Sequence, residues 1–590
     1  MTAAETRAET SILRKLARSV PYARELRAIL LGAVESRLAV VEERLATLER
    51  GRGNIDQALA ASSDFWRAYD RPAALEKGPI LVDLMHFNGD YLWRSLVLGK
   101  LLQFNTGAPL VALLGRPGVT DPHNPADNAG MARALGVTEF INVPDEDAHD
   151  NYETPALKTI IDLATSLPDG VPLPPSAIVR LREVRTKAGF PIGRCVLETF
   201  MRAELEARVL AGPRLVHWAK RVLGFVDFAE QLIGQRHPSA FVTGHVDYCP
   251  WGALAELLVR RGGRVVYFRE ECRMPIHIIE KVDAGRTING MIRKAEQESF
   301  SEFERRIAGN SGLTARIDAL AQGRSDAVRK GVGRHHRWVA PNSFSPAPVP
   351  RAIFANGALP LYVLFAHTFT DQPAADDALF VDYLEWVEET CRHAAATRAY
   401  NLIVKVHPFD HLYDRSGAID RIAAAFADAE NLHFTRDRID PKQLAELCAL
   451  GITVRGTPGL EMTELGLPML LAGHSFYSDS GFCLAPRSRA EYFGMLAQGP
   501  PFPIDIGAQS LRCRRYRAFD RYWSAPATPL VPAFNAMAMT DQNLWALIGE
   551  GVRCACLETD QVARATAQAW SKGSTKVVAP ELEELLAGRP

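Results

Sequence analysis

The chain has 590 residues, room for about three or four domains at roughly 150 residues each. Its 47% hydrophobic and 23% charged residues are globular proportions and exclude a wholly disordered, collagen-like or disulfide-stapled chain. Sixty-eight Lys and Arg against 69 Asp and Glu leave a net charge of −1, without the large basic excess of a general nucleic-acid binder.

Residues 8 to about 50 read as helix. Leu31, Leu38 and Leu45 share a heptad spacing with Val34, Val41 and Leu48, an a/d seam flanked by Glu35, Arg37, Glu42, Glu43 and Arg44. The seam at residues 31–48 either joins copies of the chain as a short coiled coil or packs on its own domain. The N-terminus mixes charges and lacks the basic-then-apolar layout of a signal peptide, and no run approaches the ~18 apolar residues of a membrane span. No transmembrane segment is expected, and the expected compartment is the cytoplasm.

From residue 78 short apolar runs alternate with helical stretches. GPILVDLM, APLVALLG and VTEFINV read as strands, with the turn Asn88-Gly89-Asp90-Tyr91 after the first. Residues 153–236 read as helix. SAFVTGHVDY, a helix over 251–261 and GRVVYFRE then resume the alternation. Residues 323–360 are proline-rich and basic, the mark of a boundary or exposed loop. A second block follows with strands LPLYVLFAH, YNLIVKVHP, NLHFT, GITVRG and LPMLLAG separated by helices, the first of them over 376–397 and opened by Asp376-Asp377. The tail from about 486 reads as helix.

The pattern predicts an α/β chain with two Rossmann-like, doubly wound domains facing a cleft and helical extensions at both ends. The expected units are residues 1–74 (helical extension), 75–340 (first Rossmann-like domain with a helical insertion at about 150–236), 355–485 (second Rossmann-like domain) and 486–590 (helical tail). Ligands of such sheets bind at the carboxyl ends of the strands, so the expected site is the cleft between the two.

Two segments of the second block carry candidate chemistry. Lys405 and His407, in KVHP, alternate onto one face at a strand end, where a cation and an imidazole suit a phosphate. In Thr453–Gly459 a strand ends in a Gly/Thr turn, with Pro458 near the first helical position. The N–H groups of Thr457, Gly459 and Leu460 are expected to form an anion site, with Arg455 beside them and Glu461 one turn in, within reach of ribose hydroxyls. The plain alternatives are a structural strand-end histidine and an ordinary capped helix.

Together, KVHP (405–408), RGTPGLEMTELGLP (455–468) and the Gly473…Tyr477…Gly481-Phe482 loop resemble, in order and spacing, the carboxyl-terminal domain of bacterial capsular-polysaccharide biosynthesis glycosyltransferases of GT-B type. Thr243–Gly252 resembles that family's His-x-x-Tyr…Gly turn. The resemblance implies a nucleotide-sugar donor, CMP-, UDP- or GDP-linked, held by Lys405, His407, Arg455, Thr457, Gly459, Leu460, Glu461 and Tyr477. It implies a glycan or glycolipid acceptor at the inner face of the membrane. Catalytic candidates lie at strand ends of the first block: Asp247 first, then His245, Glu270 and Asp90. For His245 and Asp247 the alternative is a helix cap.

No P-loop, HExxH, GxSxG or EF-hand is present, and the GVG of 331–333 lacks the rest of the Rossmann fingerprint. No metal and no cofactor beyond the donor are expected. The nine cysteines are scattered, with Cys554 and Cys556 the one close pair, and are read as thiols. Arg512, Arg514, Arg515, Arg517 and Arg521 interleave with Tyr516, Phe519, Tyr522 and Trp523, either as a contact for an anionic surface or as a return helix lying against the first domain. Rival functions are a non-hydrolysing nucleotide-sugar 2-epimerase, a polyol-phosphate transferase and an inactive scaffold partner.

Overall fold

The computed structural model describes residues 54–69, 78–85, 89–115, 128–144, 154–269, 273–329, 348–350, 354–373, 378–532 and 541–579. The seam at 31–48, Glu270 and Asp376-Asp377 lie outside them.

The first sheet holds seven strands: β1 (Ile80–Leu84), β2 (Leu110–Leu114), β3 (Glu139–Asn142), β4 (Ala240–Thr243), β5 (Arg264–Phe268), β6 (Ile276–Ile279) and β12 (Lys576–Val577), in spatial order β12-β6-β5-β4-β1-β2-β3. The second holds β7 (Leu361–Phe365), β8 (Asn401–Lys405), β9 (Leu432–Thr435), β10 (Leu450–Thr453) and β11 (Met469–Leu471), in order β11-β10-β7-β8-β9. ILVDL and LYVLF are buried at every position, because helices cover both faces of a parallel sheet and leave no solvent side to alternate with. β1 pairs in parallel with β2 and β4, and β7 with β8 and β10. Each chain path therefore runs outward from one strand and returns to its other side. The two reversal points, β1/β4 and β7/β10, are where doubly wound sheets open a crevice for ligands.

The helices that position the site are α1 (Gly89–Thr106), α2 (Ile192–Glu204), α3 (Pro213–Arg236), α4 (Ala253–Arg260), α5 (Ile288–Ala308), α6 (Tyr383–Thr397), α7 (Pro458–Leu465) and α8 (Ile506–Tyr522). α2 and α3 belong to the helical insertion between β3 and β4. α6 begins after Asp382, whose carboxylate accepts the Glu385 N–H, so the helix starts later than the expected residue 376. Helix Ser311–Arg329 runs into the segment expected to be connector.

Two strands escaped the sequence reading. β6 is antiparallel to β5, and β12 is antiparallel to β6 through Lys576↔His277 and Val577↔Ile276. The two residues of β12 are too few to show a period. The tail is correspondingly divided. α8 packs on the second domain, whereas α9 (Asp541–Cys554), α10 (Gln561–Lys572) and β12 return to the first, where Trp545 meets Trp93 at 5.9 Å. Amphipathic spacing shows that a helix buries one face but not which sheet receives it.

The Arg/aromatic stretch is a packed helix. Arg512 forks onto Glu304, Arg515 onto Asp318, and Arg517 reaches Glu464 at 3.1 Å, while Cys513, Tyr516 and Phe519 are buried. Nearby, Glu296 is wholly buried against Lys576, His277 (3.1 Å) and Arg269 (3.4 Å), and Arg269 also meets Asp520 at 3.2 Å. The Lys576 and Arg269 charges, with the hydrogen bond from His277, hold Glu296 well below the usual carboxylate range despite its burial. Among the described residues no helix is long and apolar enough to cross a membrane.

Candidate functional site

The two reversal points face each other, and side chains from both domains interlock there. In the first domain, β4 ends at Thr243, whose hydroxyl donates to Asp83 Oδ2 at 2.8 Å. The Met85 N–H (2.9 Å) and Trp251 Nε1 (3.1 Å) both donate to Asp83 Oδ1. Burial pushes the Asp83 carboxyl up to about 6. Thr243 also accepts the His245 N–H at 3.1 Å, so Asp83 ties the β1 end to the turn that carries His245 and Asp247. His245 stacks on Tyr91 with ring centres 5.0 Å apart and lies 5.2 Å from Trp251. Gly244 makes this possible, since a Cβ there would stand 2.4 Å from the Tyr91 ring. Burial, and after it the charge of Arg202, lowers the His245 pKa to about 4, so the ring is neutral.

Asp247 is buried between the domains. Asn289 Nδ2, from α5, donates to its Oδ1, and Gln372 Nε2, from the loop after β7, donates to its Oδ2 at 2.9 Å. Burial raises the Asp247 carboxyl to about 7. Glu198 of α2 and Asp371 add to the rise, while Arg455 and Arg194 oppose it. Asp247 thus retains its proton toward neutrality, as a carboxyl crowded by like charges out of water must.

The second domain supplies the cationic side. Arg455, just beyond β10, lies in the field of Tyr383, Asp247 and Asp371, which keep it charged against its desolvation. Its Nη1 is buried with no protein partner among the described residues. His407 follows β8, and its Nδ1 accepts the Phe409 N–H at 3.2 Å, which leaves the proton of the neutral ring on Nε2. Burial lowers its pKa to about 4, helped by His367, whose ring lies 6.5 Å away. Lys405, at the end of β8, is lowered mainly by burial and sits in the field of Arg438, Asp437 and Glu461. Lys405, His407, Arg455 and Glu461 are therefore brought to one end of the second sheet, with Asp247 and His245 opposite.

Other expected residues are placed differently. Asp90 is buried in the first turn of α1 and pairs with Arg94 at 3.0 Å, four residues on along the same helix face. Tyr477 is completely buried and donates its hydroxyl to the Gly456 carbonyl, so it braces the turn from behind and cannot touch a donor. The Gly459 and Leu460 N–H groups bond the Gly456 and Thr457 carbonyls, at 3.1 and 2.9 Å, so they are not open to an anion. Thr457, the residue before the helix, already has right-handed helical backbone, and the N–H groups of Gly456 and Thr457 have no protein acceptor among the described residues. Leu460 packs into the core.

A Cβ on Gly459 would stand 2.0 Å from the Tyr477 hydroxyl. Gly459→Ala should lower stability by about 1–3 kcal/mol, read as a lower urea midpoint, because neither the turn nor a fully buried ring has room to move. An unchanged midpoint would show that Tyr477 does not brace the turn.

His367, Asp371, Gln372, Tyr383, Glu198 and Asn289 were not singled out from the sequence. HTFTDQ follows the strand LYVLF at a reversal point, so the strand-end argument used for KVHP applies to it equally. Glu198 and Asn289 lie inside helices, where spacing reports only burial.

No family model matches the chain, and no curated protein does. Among solved structures it is similar to the KpsC beta Kdo 2,4 transferase of Thermosulfurimonas dismutans, with 14% identity, 53% of this chain and 87% of that one covered, and a TM-score of 0.31. It is similar to a putative UDP-N-acetylglucosamine 2-epimerase from Listeria monocytogenes at 10% identity, with 75% and 91% covered and a TM-score of 0.23. Anabaena Alr3699/HepE, solved in complex with UDP, is similar at 12% identity, with 75% and 95% covered and a TM-score of 0.25.

Proposed function

We propose that the protein is a metal-independent glycosyltransferase of GT-B type that moves a sugar from a nucleotide-sugar donor to a cell-surface glycan or glycolipid. The observation that carries this reading is the pairing of Arg455, His407 and Lys405 on one domain with a proton-retaining Asp247 on the other. The donor's phosphate would lie against Arg455, the His407 Nε2–H and the free N–H groups of Gly456 and Thr457, and Glu461 would take ribose hydroxyls. Such donors stabilise the charge that develops as the nucleotide leaves.

In the inverting form, the acceptor oxygen bonds to the anomeric carbon and the carbon–oxygen bond to phosphate breaks. The electron pair departs with the nucleotide, and Asp247 takes the acceptor proton. In the retaining form Asp247 attacks the anomeric carbon first as its bond to phosphate breaks, and the acceptor oxygen then displaces the Asp247 carboxylate, its proton passing to the departed nucleotide phosphate. The donor is a substrate, and no further cofactor is invoked. We place the reaction at the inner face of the membrane, in cell-surface or capsule polysaccharide synthesis, with self-association through residues 31–48.

Calorimetric titration with CMP, UDP, GDP and their sugars tests the donor site. His407→Ala should weaken binding of the preferred nucleotide by about 10-fold, the worth of one charge-assisted hydrogen bond. A variant that binds every nucleotide like wild type would remove His407 from the site. Slow nucleotide release without acceptor marks a transferase, and interconversion of sugar epimers would replace this reading with an epimerase.

A further inference from the structure

Five non-glycine residues among those described have left-handed backbone: Leu205, His237, Tyr248, Gln372 and Arg398. Leu205, His237 and Arg398 close helices, where that conformation completes the last turn. Tyr248 (φ 59°) and Gln372 (φ 51°) close none. They come from different domains and meet, with the Gln372 N–H donating to the Tyr248 hydroxyl oxygen at 2.8 Å. Left-handed backbone at a bulky residue is costly and persists where the surroundings over-determine it.

Here the surroundings do. Every polar group of Gln372 except its side-chain carbonyl has a named partner: its N–H goes to Tyr248, its carbonyl accepts the Tyr383 hydroxyl at 2.8 Å, and its Nε2 donates to Asp247 Oδ2. The Tyr248 hydroxyl in turn faces the Thr370 carbonyl at 3.3 Å. The strained pair thus delivers one carboxamide of the second domain onto the carboxylate of the first.

We infer that Gln372 is a positioning residue that sets the orientation and protonation of Asp247 from across the cleft, with Tyr248 as its seat. This rests on the reading of Asp247 as the reacting carboxylate. Asp247 is competent only while the two domains are together, so proton transfer to it is confined to the closed cleft. Facing its carboxyl are Glu198 and Arg194 from α2, Asp371 from the β7 loop, Arg455 beyond β10, and the Tyr248 and Tyr383 hydroxyls. The carboxamide N–H favours the ionised form, so its loss moves Asp247 toward higher pH.

The test compares Gln372→Gly, which accepts the backbone and deletes the carboxamide, with Gln372→Asn, which restores a shorter one. Gln372→Gly should bind free nucleotide within two-fold of wild type, lose turnover by roughly 10-fold with donor KM unchanged, and shift the acid limb of its pH–rate profile upward by about half a unit or more. Gln372→Asn should recover part of both effects. Turnover that falls with no shift of the acid limb would make Gln372 merely structural and overturn the inference, as would unchanged turnover. Small-angle scattering of the ligand-free chain gives a readout without activity. Gln372→Gly and Tyr248→Phe should each raise the radius of gyration, and an unchanged radius in both would dismiss the clasp. If wild type transfers no sugar from any donor while the radius still rises, the clasp stands and the transferase reading falls.

Discussion

Asp247→Asn should melt no lower than wild type near pH 7 and bind nucleotide with unchanged affinity, yet lose turnover by roughly 10²-fold or more. Asn is isosteric, and Asn289 or Gln372 can turn its carboxamide to suit the new amide, so the packing survives. What disappears is the basic oxygen. His245 is a weaker candidate, because a pKa near 4 leaves it neutral but a poor base, whereas a carboxyl near 7 is matched to proton transfer at cellular pH. Wild-type turnover should accordingly rise with pH through about 7. The stability dependence has the opposite sign. A carboxyl whose folded pKa lies above its unfolded value of 3.8 binds more protons folded than unfolded, so its stabilisation is fully present below that value and is lost as pH rises toward 7. The Asn variant has no such dependence and should gain on wild type across the interval, which melting curves at pH 5 and pH 7 will show. Transfer within a few-fold of wild type would move the role to Glu198 or to Glu270.

The parts of this site that were legible in the sequence are those fixed by short-range chemistry. GPILVDL and LPLYVLFA are buried runs too short for helices, and KVHP ends its strand because proline forbids continuation. Asp247 and His245 followed from the rule that strand ends face the crevice. The misplacements share another cause. Asp90 also follows a strand, but it pairs with Arg94, four residues on, which a strand-end rule does not weigh. Tyr477 is spaced like a ligand and is instead a wedge, because the turn above it has a glycine that admits its hydroxyl. Gln372 was invisible because its role depends on which loop of the other domain it meets, and Tyr248 lies 124 residues away in sequence. Contacts of that separation are set by the packing of whole domains, not by local pattern.

Arg455→Gln should have two separable effects. Nucleotide affinity should fall by about 10- to 100-fold, the worth of a charge-assisted hydrogen bond from a guanidinium, because Nη1 is buried without a partner among the described residues and is a donor open to an anion. Stability should also fall, by about 3 kcal/mol, since Asp247 and Asp371 lose the cation that compensates them in a water-poor cleft. The second effect has a pH signature of its own. With Arg455 gone, Asp247 ionises less readily still, so the acid limb of any residual turnover should move to higher pH. Arg455→Lys separates charge from shape: it keeps the cation, so most of the stability should return, but it lacks the planar fork, so nucleotide affinity should recover only in part. Calorimetry and urea melts on the pair decide the matter. If Arg455→Gln is destabilised but binds nucleotide like wild type, Arg455 is a counter-ion for the carboxylates alone, and the phosphate must be held from the His407 and Lys405 side of the second sheet.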